Sequence, residues 1–131
     1  MLNPFPLQFL ALLAYFILRI CVGGILLYLG RAHLKQRSGL ITVLKFPFLS
    51  SHHSILLLVF FELALGTFIF LGAHTQYATL GVILLSLFML FMKRATNHPL
   101  IPPRIFYVLL IGACVSLFIT GAGAFAFDLP L

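Results

Sequence analysis

The sequence predicts an all-α fold: an integral membrane four-helix bundle with a short interfacial segment between the first and second helices. Three observations predict it. Apolar residues make up 63% of the 131-residue chain and charged residues only 8%, far below the roughly 25% charged of soluble domains. Four long apolar runs divide the chain. Every Lys and Arg but one falls beside those runs and not within them. A chain of this composition cannot cover a water-facing surface with polar groups. The whole chain, 1–131, reads as a single transmembrane domain, with spans at about 8–29, 54–73, 77–92 and 105–126.

The first run, LQFLALLAYFILRICVGGILLYLG, exceeds the roughly 20 apolar residues that a bilayer core requires. It has no basic leader and no small-residue cleavage site, and more spans follow, so it is expected to be a membrane helix and not a cleaved signal peptide. The next stretch, RAHLKQRSG, is polar and basic. ITVLKFPFLSSHH is apolar but interrupted by Lys45 and Pro47, which suits a segment lying at the membrane interface. Ser50, Ser51 or Ser54 offers a cap for the second helix. HTQY is expected as a tight connection to the third span, which ends at Lys93 and Arg94. Three prolines in TNHPLIPPR exclude helix continuation there, and Arg104 opens the fourth span.

Net charge is +6. In a soluble protein that excess would suggest nucleic acid; beside membrane spans it speaks of topology and lipid headgroups, and nucleic acid is not an expected partner. Arg31, Lys35, Arg37 and Lys45 occupy the first loop and Lys93, Arg94 and Arg104 the third, while both tails and the HTQY turn carry none. The positive-inside rule therefore places loops one and three in the cytoplasm and both termini outside.

The exceptional base is Arg19, near the middle of the first span, where a charge costs about 2.5–3.5 kcal/mol even on lenient insertion scales. Of the chain's two carboxylates, Glu62 lies inside the second span. Counted from Gly30 and Ser54, the two stand at comparable heights, about 16 and 12 Å, so they are expected to pair across helices one and two. Gly23 and Gly66 each lie four residues further on, a turn away on the same face, where small residues permit close backbone approach. Arg19 and Glu62 are the candidate catalytic and cofactor-binding residues; a purely structural ion pair that fixes helix register is the alternative.

Other features carry less chemistry. Cys21 and Cys114 sit in apolar runs with nothing to stabilise a thiolate. His33, His52, His53, His74 and His98 fall near span ends, where amphipathic rings settle, and no metal motif forms, so no metal is expected. Gly112, Ser116, Thr120 and Ala124 recur every fourth residue, a small-residue ridge expected to pack within the bundle, with an oligomer interface as the alternative. Phe5, Tyr28, Tyr77 and Phe127 suit the interfacial aromatic belt.

Arg19 followed by Gly23 and Gly30 resembles the first-helix signature of DoxX-family membrane proteins. Glu62 followed by Gly66 and Gly72, then Thr75 and Ala78, resembles their second-helix pattern. The close GAGAFAFD, with Gly121, Gly123, Phe125 and Asp128, is similar to the family's Gly-Pro-Gly-Arg-aromatic-x-x-Asp ending. The resemblance covers the whole chain in the right order. It departs at His33, where the family often has Lys, at Gln76, where it has Arg, and at Ala122 and Ala124, where it has Pro and Arg. It implies a four-helix bundle. It also implies kinship with subunits of thiosulfate:quinone oxidoreductase and with other membrane-bound redox and oxidative-stress complexes.

The expectation is then a small multi-pass subunit that supports or anchors a quinone-linked redox complex, in contact with the bilayer and with other membrane or membrane-associated subunits. The chain has no flavin, haem or iron–sulfur signature, so any electron carrier is quinone or belongs to a partner. A non-catalytic assembly protein is the alternative. A small carrier or channel ranks third, since a channel should show polar stripes on several helices and helices three and four offer little beyond Ser86, Ser116 and Thr120.

Overall fold

The computed structural model describes residues 10–36, 38–40, 52–91 and 101–121. Its regular secondary structure across them is all helical. The four helices are α1 (Ala11–Lys35), α2 (His52–Leu71), α3 (Thr75–Phe91) and α4 (Arg104–Thr120), with a short helical turn at 38–40. Two stretches, Leu13–Lys35 and His53–Leu71, are long and apolar enough to cross a membrane by length and composition; α3 and α4 are apolar and shorter.

The helices pack in two intimate pairs, α1 with α2 and α3 with α4, joined by lighter contacts of α2 with α3 and α1 with α4. Glycines set the first pair. A Cβ at Gly23 would lie 2.8 Å from the backbone nitrogen of Phe70, and one at Gly66 would lie 3.1 Å from Leu26 Cβ and 3.2 Å from the Leu27 nitrogen. Gly30 lies against Leu63. As α1 descends from 23 to 30 its contacts on α2 run from 70 to 63, so the two helices are antiparallel.

One apolar core joins all four helices, through Val22 and Leu26 of α1, Leu65 and Ile69 of α2, Ala78 and Val82 of α3, and Leu110, Cys114 and Leu117 of α4. A smaller cluster of Leu40, Ile55 and Val59, with Ile101 packed on it, closes the end where α2 begins. Buried positions on α3 (Thr75, Ala78, Thr79, Val82, Ser86, Met89) and on α4 (Tyr107, Leu110, Cys114, Leu117) recur at helical three- and four-residue spacing. The outward faces are equally apolar: Leu57, Phe60, Leu84, Phe91, Leu109 and Ile119 are all exposed.

Several expected boundaries move. The first helix continues past Gly30 to Lys35, because Gly30 is a contact position inside the helix and Arg-Ala-His-Leu-Lys forms helix readily. Ser54 lies within α2 and does not cap it. The connection after α2 is Gly72 to His74, and Thr75, Gln76 and Tyr77 already belong to α3. Its geometry is a Schellman close: the Ala73 amide donates to the Phe68 carbonyl and the Gly72 amide to that of Ile69, with Gly72 at φ 71°. The fourth helix ends at Thr120 and not near 126, because Gly121 leaves helical geometry at φ 79° and ψ −166°. Lys45, Pro47, Ser50, Ser51, Lys93, Arg94 and the expected interfacial segment beyond Leu40 lie outside the described residues. So do Phe5, Arg37, His98, Ala122, Gly123, Ala124, Phe125, Phe127 and Asp128.

Candidate functional site

Six polar or charged residues are buried among the described ones: Arg19 and His33 on α1, Glu62 on α2, and Thr75, Thr79 and Ser86 on α3. Within apolar helices such groups persist only where a partner or a packing constraint holds them. Their partners define the site.

His33 and Glu62 form its centre. His33 Nδ1 donates to Glu62 Oε2 across the α1–α2 interface at 2.8 Å, and the two side chains are only 1% and 3% exposed. The same stripe that carries Gly23, Leu26 and Gly30 carries His33, one turn further down α1. Val59, Glu62, Gly66 and Ile69 line the corresponding face of α2. The contact is a buried, charge-assisted hydrogen bond once the carboxylate is ionised. Such a pair can hold a proton or lock register.

Arg19 is elsewhere. It lies fourteen residues before His33, about 21 Å along α1 at 1.5 Å per residue, and the α1–α2 register sets it level with the Gly72–His74 turn. No ion pair joins it to Glu62, whose ion pair is with His33. The expected Arg19–Glu62 pair is therefore corrected. Heights counted from Gly30 and Ser54 used neither true helix end, and the glycine contacts slide the helices into a different register. Arg19 is nonetheless buried, 1% exposed, with its Cζ 5.3 Å from the centroid of the Phe16 ring one turn earlier.

Thr79 and Thr120 return their hydroxyls to carbonyls of their own helices, at Thr75 and Gln76 and at Ser116 respectively. Ser86 does not: its Oγ is fully buried with no hydrogen-bond partner.

The remaining residues singled out in the sequence spread across the fold. Gly23, Gly30 and Gly66 sit in the α1–α2 contact, and Gly72 and Gly121 take positive φ at helix ends. Gly112 and Thr120 face outward on α4, and a Cβ at Gly112 would meet nothing within 4 Å. Ser116, on the same ridge, is half-buried and Ala124 lies outside the described residues, while Tyr107, Leu110, Cys114 and Leu117 are the buried positions of α4. Cys21 is exposed, Cys114 is buried, and neither forms a disulfide. Tyr28 and Tyr77 are exposed.

His33 is the site residue that the sequence does not single out, since its place near a span end matches that of the other histidines. Its phase was the available signal, because it continues the Gly23–Gly30 face by three residues. Comparison of the chain with protein-family models, with curated proteins and with solved structures gives no match.

Proposed function

We propose that the chain is a multi-pass membrane protein of DoxX type, a four-helix bundle that anchors a partner complex in the bilayer and does no chemistry of its own at its polar centre. The carrying observation is the inversion of polarity. Arg19, His33 and Glu62 are buried while Leu and Phe side chains cover the outside, which suits lipid or partner helices as the surroundings. Helices of 17 residues, such as α3 and α4, fall at the short end of what spans a bilayer. The loop bases orient it with both termini outside.

Family resemblance suggests a quinone-linked redox complex as the partner. Reaction at the polar centre requires Arg19 and Glu62 together beside an opening that admits a quinone headgroup. The separation of these two residues and the burial of Glu62, 2% exposed, favour the anchoring role over the reactive one. Native purification tests this reading. The chain should co-purify with membrane or membrane-associated subunits, and Glu62→Gln should leave any quinone-linked turnover of that complex unchanged at equal subunit content. Purification as an isolated chain contradicts the anchor. Loss of turnover in an intact Glu62→Gln complex returns the reaction to the centre.

A further inference from the structure

Three helices bring polar groups to one level of the interior. His33 meets Glu62 directly. Across α2 and α3 the register follows from their connection at Gly72–His74 and from Gly81, whose Cβ position lies 2.8 Å from Leu65 Cδ2. Five residues further down α3, Ser86 stands level with Phe60, within a turn of Val59 and Glu62 in height, and both Ser86 and Glu62 lie on buried faces of their helices. A helical side chain leans toward its own helix's N-terminus, so the Glu62 carboxylate drops from its Cα toward that same level. Ser86 also shares its inward face with Val82, which packs in the core with Leu65 and Ile69.

The Ser86 hydroxyl has a specific peculiarity. It is 0% exposed, and its Oγ neither returns to its own helix, as those of Thr67, Thr79 and Thr120 do, nor reaches a neighbour. Native interiors rarely leave a buried hydroxyl so, and an ordered water is the usual partner. We propose that Ser86 and Glu62 hold one water molecule between α2 and α3. The ligand this chemistry selects is a small neutral hydroxyl: it accepts from Ser86 Oγ–H and donates to the Glu62 carboxylate, whose other edge accepts from His33. A quinol hydroxyl shares those properties, but a headgroup needs an opening, and burial of all three side chains favours water. The consequence is a polar latch across three helices, which adds a hydrogen-bonded bridge to the apolar contacts that already join α3 to α2.

Solid-state NMR of the full chain in phosphatidylcholine vesicles tests this, with magnetisation transferred from water protons to Glu62 Cδ and Ser86 Cβ. Both carbons should receive it in the native chain. Ser86→Ala should lose most of the transfer to Glu62 at unchanged helix content, and Ser86→Thr, which keeps the hydroxyl, should retain it. Absence of transfer to Glu62 in the native chain overturns the proposal, as does transfer undiminished in Ser86→Ala. Addition of a decyl-substituted benzoquinol supplies the other arm: transfer that persists supports water, and displacement by the quinol overturns it. Should Ser86→Ala fail to fold, the native and Ser86→Thr spectra with and without the quinol decide the matter.

Discussion

His33 Nδ1 lies 2.8 Å from Glu62 Oε2 between two helices whose glycines bring the backbones together. Histidine and glutamate stand 29 positions apart in the chain, and each lies on the face its helix buries. The pair occupies the end of the α1–α2 contact where α2 begins, while Arg19 occupies the other. Two separated polar positions, and not one central cluster, organise the interior.

That separation has a thermodynamic signature. Sites far apart with no shared partner add within about 0.3–0.5 kcal/mol. Arg19→Leu and Glu62→Leu, measured singly and together by reversible unfolding in lipid, should therefore be additive within that margin. A coupling beyond about 1 kcal/mol would restore the direct pair between them.

The glycines divide by what surrounds them. Gly23→Ala drives a methyl to within 2.8 Å of Phe70 backbone atoms, an overpacking that typically costs about 1–3 kcal/mol. Gly112→Ala meets open space and should be neutral or stabilise by up to about 1 kcal/mol, since alanine is the better helix former. Thermal unfolding of the two variants in one detergent checks the contrast. Equal effects would mean that the α1–α2 contact is looser than the geometry states.

Topology is testable at two exposed positions, Gln76 at the start of α3 and Lys35 at the end of α1. In a background lacking Cys21 and Cys114, Gln76→Cys should react with an impermeant maleimide added to intact cells. Lys35→Cys should react only after permeabilisation. The reverse pattern would invert the orientation drawn from the loop bases.

The sequence made the helices legible because each is a long apolar run bounded by bases, prolines or glycines. It also showed that Arg19 and Glu62 are inside. It did not show which polar residues meet. Pairing depends on register, and register here is set by Gly23 against Phe70 and Gly66 against Leu26 and Leu27, contacts between positions more than 35 residues apart. A shift of one helical turn, about 5.4 Å, decides whether His33 or an earlier residue faces Glu62. The end of α1 differs from the sequence expectation for a local reason. Gly30 looked like a terminus, yet it serves as the place where Leu63 packs. On α4 the four-residue spacing of small residues does not say which face turns inward: Gly112 and Thr120 are exposed and Ser116 is half-buried, while Tyr107, Leu110, Cys114 and Leu117 are buried.

The central claim is that His33 and Glu62 hold α1 to α2. A double-mutant cycle with His33→Leu and Glu62→Leu, read by reversible unfolding in lipid, tests it most directly. Removing either partner strands a buried polar group, whereas removing both leaves two apolar side chains in contact. The double variant should be less destabilised than the sum of the singles by about 1–3 kcal/mol, in the range of contacting, hydrogen-bonded pairs. Additivity within about 0.5 kcal/mol would contradict the claim.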